Sequence, residues 1–169
     1  MSIKLAYELC SENAVLPQYK HLGDAGMDIY AAEDVIIKAG ETVAVGTGLK
    51  IYIPEGYEIQ LRPRSGLSLN SRLRLPNSPA TIDAGYRDEI KVIIWNSSPD
   101  EACFSRALDT YTLDVKGSPA GHYHIKKGDR ICQMVLKRID IAEWVDLEQF
   151  DENKLVSDRQ GGLGHSGLR

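Results

Sequence analysis

Apolar and polar residues alternate along much of the chain. Ile3, Leu5, Tyr7 and Leu9 stand every second residue, as do Val43 and Val45, then Leu49, Ile51 and Ile53, then Tyr57, Ile59 and Leu61. A period of two sends neighbouring side chains to opposite faces of an extended backbone, so each run predicts a short, half-buried strand. Lys38-Ala39-Gly40-Glu41, Pro54-Glu55-Gly56 and Lys127-Gly128-Asp129 carry turn chemistry between such runs. Segments 90–95 and 131–135 are more continuously apolar and predict buried strands. Tyr111, Leu113 and Val115 predict one further strand. A helix is indicated only over 65–72, where Ser65 or Ser68 could cap a short turn. Many short strands, Gly and Pro turns and one short helix predict an all-β sandwich or barrel.

Length and composition narrow this picture. The chain has 169 residues, enough for one domain with its own core, and its 43% hydrophobic and 26% charged residues are ordinary for a globular protein. No apolar run is long enough to span a bilayer, and the N-terminus lacks the pattern of a signal peptide, so a cytoplasmic protein without a membrane partner is expected. Cys10, Cys103 and Cys132 are odd in number and form no paired motif, which argues against a disulfide framework or a cysteine zinc site. Cys132 lies in an apolar run and reads as a small buried thiol. A net charge of −4 excludes wrapping of long nucleic acid, but converging arginines could still hold a small polyanion. Trp95 and Trp144 are expected to pack in the fold. His122 and His124 would share a strand face, with no third metal ligand nearby.

Five segments carry candidate chemistry. Ala25-Gly26-Met27-Asp28-Ile29 places a carboxylate at a strand start, ordinarily a turn residue. Pro63-Arg64-Ser65-Gly66-Leu67-Ser68 follows a strand and opens a helical turn, where Arg64, Ser65 and exposed amides suit phosphate. Thr81-Ile82-Asp83-Ala84-Gly85-Tyr86-Arg87 reads as a hairpin turning at Ala84-Gly85, with Asp83 a candidate base and Tyr86 a ring for a sugar or base. In 128–135, Gln133 is a polar residue inside an apolar strand and needs a partner, a phosphate being one candidate. The tail, from Arg159 through Gly167, is glycine-rich and reads either as a disordered end or as an arm whose amides wrap phosphate. Arg72, Arg74 and Arg87 could add to a phosphate field or simply be solvated.

In order and spacing these segments resemble the five motifs of the homotrimeric dUTPase family. The resemblance implies a jelly-roll-like β-barrel or sandwich over 1–150 with one short helix, and a flexible C-terminal arm over 151–169. It implies a dUTP diphosphatase that uses Mg2+ to yield dUMP and diphosphate, thereby keeping uracil out of DNA. It implies a homotrimer with shared active sites: one subunit gives the first, second and fourth motifs, and another gives the third. Asp83 would be the catalytic base on water. Tyr86 would lie under the deoxyribose, and Asn77 with the backbone near Ala80 and Ile82 would read uracil. Arg64, Ser65, Gly66 and Gln133 would hold phosphates, and Arg159, Gly162, Leu163, Gly164, His165 and Ser166 would close the arm over them. Asp28 would meet the metal through water.

Three positions depart from the family pattern. Ala80 stands where glycine is common, adding a methyl near the uracil site. Leu163 stands where a phenylalanine usually stacks on uracil, and the arm is one residue shorter before its glycine pair. Segment 97–120 is longer than the turn of compact members, and reads either as a solvated extension or as a surface for a protein partner. Two alternatives are a nucleotide-sensing regulatory protein and a deaminase acting on dCTP. The second is disfavoured, because Ala84 and Ile93 occupy the positions of that family's proline and catalytic glutamate.

Overall fold

The computed structural model describes residues 2–149. Twelve strands occur among them: β1 (Ala6–Leu9), β2 (Met27–Tyr30), β3 (Val35–Ile37), β4 (Thr42–Gly46), β5 (Leu49–Tyr52), β6 (Tyr57–Arg62), β7 (Leu73–Arg74), β8 (Ala80–Ile82), β9 (Lys91–Asn96), β10 (Thr110–Thr112), β11 (His122–Ile125) and β12 (Arg130–Arg138). One α-helix, α1 (Ser65–Asn70), lies between β6 and β7. The result is the expected all-β, jelly-roll-like sandwich. Contacts divide the chain into two units, Met1–Ile139 and Asp140–Arg169. The described part of the second holds a single 3-10 turn, Leu147–Gln149. The expected arm, 151–169, lies outside the described residues. No helix among the described residues is long and apolar enough to cross a membrane.

Pairing is non-local. One sheet runs β2-β12-β6-β8, a second β4-β9-β7, a third β10-β11-β3, and β1 pairs with β5. The turn glycines do what their sequence context predicts: Gly40, Gly56 and Gly128 adopt positive φ of 77°, 80° and 86°, a region side-chain-bearing residues avoid. The sheets face one another across a core that includes Ile29, Ile59 and Ile131 from the first and Val45, Val92 and Ile94 from the second, all essentially without exposure. Burying such side chains contributes about 1.5–3 kcal/mol each against leaving them in water. At one edge of this core Tyr123 is wholly buried, and its hydroxyl donates to Pro119 O at 2.7 Å and accepts from Arg72 N at 3.2 Å.

Several expectations need correction. β1 is exposed along its whole length rather than half-buried. β9 alternates buried and exposed residues, so Ile93 and Trp95 keep 38% and 40% exposure and are not core. Trp144, at 97% exposure, does not pack either. The helix is capped by neither serine: Arg64 is the N-cap residue, with extended backbone and no capping side-chain bond, and Ser65 is already helical. Of the expected strand at 111–115 only Tyr111 and Thr112 are extended, paired in parallel with Tyr123 and His124, and Leu113 and Val115 fall outside it. Segment 81–87 does turn, but it is not a hairpin. β8 pairs with β6, whereas β9 pairs with β4 and β7, so the chain crosses here from one sheet to the other.

Candidate active site

The order of the first sheet sets one group of candidate residues side by side. Asp28 on β2 pairs with Gln133 on β12, which pairs with Arg62 on β6. The chain then leaves β6 and enters α1, so Arg64 stands close enough to reach back to β2. Its Nε donates to Asp28 Oδ1 at 3.0 Å, and Gln133 Nε2 donates to the same oxygen at 3.2 Å. Arg130 Nη1 donates to Asp28 Oδ2 at 3.2 Å, while Arg64 Nη1 donates to the Arg130 carbonyl at 3.2 Å. Burial alone would raise the Asp28 carboxyl. The charge of Arg64 and the bonds from Arg64, Gln133 and Arg130 outweigh it and hold the group below its ordinary value. One carboxylate thus orients two guanidinium groups and an amide. Cys132, next to Gln133, is buried, and burial with the nearby Asp28 charge pushes its thiol up to about 12.

Beside this cluster opens a cavity of about 390 Å³, lined among others by Arg64, Gly66, Asn70, Lys116 and Arg130. Its walls are mainly polar and carry Arg64, Lys116 and Arg130 against Asp114 and Asp129, a modest positive excess that suits a phosphate chain. Among the described residues no three His, Cys, Asp or Glu side chains gather as a metal ligand set. Asp28 already engages three donors, so it suits a cation only through intervening water. The remaining ligands would come from a phosphorylated substrate.

The second group lies around the crossing between sheets. β8 runs beside β6 with Leu61 opposite Ala80 and Ile59 opposite Ile82. Just beyond Ile82 the chain turns, and Tyr86 N donates to Asp83 O at 3.0 Å. Tyr86 Oη is fixed by donating to Glu89 O at 2.8 Å, and the Glu89 carboxylate accepts from Gly48 N at 2.8 Å. Gly48 tolerates nothing larger: its φ is +67°, and an added Cβ would stand 2.7 Å from that of Ser11. Arg87 donates to the carbonyls of Ala84 and Tyr86 while its guanidinium sits 5.6 Å from the Tyr52 ring centroid. The turn is therefore braced from outside. Asn77, Ala80, Ile82, Asp83, Tyr86 and Ile93 all line one open cavity of about 310 Å³.

The structure thus gathers Asp28, Arg64 and Gln133 in one place, with Gly66 and Ser65 at the adjoining helix start, and Asn77, Ile82, Asp83 and Tyr86 in another. Arg159, Gly162, Leu163, Gly164, His165 and Ser166 lie outside the described residues. Arg87, open between a phosphate field and plain solvation, braces the turn. Arg72 donates to Ser118 O, and Arg74 to Ser71 O and Leu73 O, so these two also serve the fold. Sequence reasoning missed Lys116, Ile93 and the pairing of Arg130 with Asp28. Only Arg130 had a signal, its place just after a Gly-Asp turn.

A protein-family model described as dUTPase matches residues 12–103. A deoxyuridine 5'-triphosphate nucleotidohydrolase of Finegoldia magna is 40% identical over 158 residues, spanning 92% of this chain and 93% of the relative. Among solved structures, the dUTPase of Staphylococcus bacteriophage 80alpha with dUPNHPP superposes with a TM-score of 0.84 at 32% identity, covering 99% of this chain and 100% of the other. A mutant dUTPase of phage phi11 of S. aureus, whose structure shows the coordination of a structural Mg(II) ion, gives 0.76 at 32% identity over 88% and 99% of the two chains.

Proposed function

Since the chain belongs to the dUTPase family and is a deoxyuridine triphosphate nucleotidohydrolase, we propose that Asp83 activates the water that attacks the α-phosphorus of dUTP, releasing dUMP and diphosphate. The observation that carries this reading is the convergence of Asn77, Ala80, Ile82, Asp83 and Tyr86 on one cavity. β8 is the last strand of its sheet, so one edge of Ala80–Ile82 has backbone donors and acceptors without strand partners. Uracil presents an alternating acceptor, donor, acceptor edge that such a backbone complements, with Asn77 beside it. Cytosine would leave groups unpaired. Tyr86, its hydroxyl tied down, forms a fixed floor for deoxyribose with no room for a 2′-hydroxyl.

Arg64, Ser65, Gly66 and Gln133 take the phosphate oxygens, and Asp28 holds the donors in place before substrate arrives. Mg2+, bound to the triphosphate and met by Asp28 through water, would neutralise phosphate charge. In the same reading Arg159 and the 162–166 glycine segment close over the phosphates.

Sheet geometry supports a shared site in a homotrimer. Asp28 is three strands from Ile82, and the two rows lie three residues apart along β6. That is roughly 14 Å across and roughly 10 Å along, or about 17 Å between Cα atoms. In-line attack needs water, carboxylate and anchored phosphate within a few ångströms of one another. A second copy supplying the phosphate anchors satisfies that distance. The apolar outer face of β9, where Ile93 and Trp95 stay exposed in the single chain, offers such a copy a surface next to the uracil cavity.

The test is diphosphate release by wild type and Asp83→Asn. The variant is expected to lose at least about a hundredfold in kcat while still binding dUTP, and wild type to prefer dUTP over dCTP, dTTP and UTP. Wild-type turnover in the variant would remove Asp83 from the mechanism. Equal hydrolysis of UTP would remove Tyr86 as the sugar discriminator.

A further inference from the structure

Lys116 belongs to the long segment 97–120, yet it lines the same cavity as Arg64, Gly66 and Arg130. We propose that Lys116 is a further substrate-binding residue, contacting the triphosphate at the end remote from the sugar. The proposal rests on the reading of that cavity as the phosphate site.

The placement of Lys116 is built into the fold. Two residues on, Ser118 docks onto the end of α1. Its N–H donates to Asn70 O at 3.1 Å, and its single hydroxyl proton is shared between Leu69 O at 2.8 Å and Ser71 O at 3.2 Å from Oγ. These are carbonyls a helix end leaves without partners inside the helix. Arg72 Nε donates to Ser118 O at 3.0 Å, and Tyr123 Oη donates to Pro119 O at 2.7 Å. Gly117 and Ser118 take φ of +88° and +52°, a left-handed pair that a non-glycine residue such as Ser118 adopts only when its surroundings hold it there. The loop is thereby fixed against the helix that opens with Ser65 and Gly66. Lys116 lines the cavity, and among the described residues no carboxylate lies within ion-pair distance of its ammonium.

The charge balance of the cavity gives Lys116 its role. Arg64 and Arg130 are both engaged by Asp28, so part of their charge is already answered. Asp114 and Asp129 also line the wall, and Asp129 is occupied in its own turn by the Lys126 N–H at 2.8 Å. Among the described residues Lys116 is the cation of this wall with no carboxylate within ion-pair distance, which leaves its charge for the terminal phosphates. A dUMP product, lacking them, would not reach it.

The experiment uses the full chain and the variants Lys116→Gln and Lys116→Arg. In Lys116→Gln the KM for dUTP is expected to rise about tenfold, the size of one lost charge-assisted contact, and by more than kcat falls. Its dependence on ionic strength should flatten, while inhibition by dUMP stays as in wild type. Lys116→Arg, which keeps the charge, should restore most of the affinity. An unchanged KM in Lys116→Gln overturns the proposal. So does an equal loss of dUMP binding that arginine fails to restore, because that is the mark of a disturbed loop. Arg64→Gln serves as control: if it too leaves dUTP affinity intact, the cavity itself has been misassigned, an outcome distinct from failure of Lys116 alone.

Discussion

Replacing Asp28 by asparagine keeps the side-chain shape and removes the charge that two arginines share. The Arg64 contact joins groups whose side chains are only 22% and 17% exposed, so it falls in the range of bonds to charged partners, about 1.5–3 kcal/mol. Arg130 is 45% exposed, and screening reduces its share to about 0.2–1 kcal/mol. Asparagine retains one acceptor oxygen and recovers part of this. A net loss of about 2 kcal/mol is expected, lowering the melting temperature by roughly 4–8 °C for a domain of this size. The pH dependence supplies a second arm. A carboxyl held low in the folded state takes up its proton less readily there than in the unfolded chain. Its stabilisation is complete above the unfolded value, near 3.8, and is lost as pH falls through the lower folded value. Melting curves of wild type and Asp28→Asn should therefore differ by a constant amount from about pH 7 to about pH 5 and converge at more acid pH. A gap that does not narrow at all as pH falls well below the unfolded value, or no gap at neutral pH, would show that the ionised carboxylate of Asp28 is not the source of the difference.

Two further outcomes follow from the same packing. Cys10 and Cys103 are exposed whereas Cys132 is buried, with a thiol pushed up to about 12. A chromogenic disulfide reagent should modify two thiols in the native protein and the third only after denaturation; rapid reaction of all three would refute it. Asn96 is fully buried, and its amide donates to Ile37 O at 3.1 Å and Gly121 O at 2.8 Å while its Oδ1 accepts from Ser98 N at 3.0 Å. Asn96→Ala strands three buried backbone groups and should cost about 2–4 kcal/mol, read as a lower denaturant midpoint; an unmoved midpoint would mean that water replaces the amide.

The fold was readable where local rules decide. Alternation located β4, β5 and β6, and the positive-φ turns fell on the glycines of the three turn sequences. It was unreadable where the partner decides. Nothing in Asp83-Ala84-Gly85 states whether the following strand folds back on β8 or joins β4, because the same turn serves both. The apolar run 90–95 looks the same whether its second face meets core or lies bare in a single chain, and Ile93 and Trp95 lie bare.

The site divides along the same line. The residues the proposed chemistry uses most directly, Asp83 and Tyr86, stand within one turn of chain. Asp28 does not, because its partners Arg64, Arg130 and Gln133 lie 36, 102 and 105 residues away and meet it only once β2, β12 and β6 have paired. That distance has a consequence for function. Drawing two guanidinium groups and an amide onto one carboxylate orders long side chains, each costing up to about 2 kcal/mol in rotamer freedom. Here the cost is met during folding, by the same strand pairing that builds the core. In the proposed reading, a phosphate chain would then meet donors already aimed, leaving more of its binding energy for the reacting phosphorus.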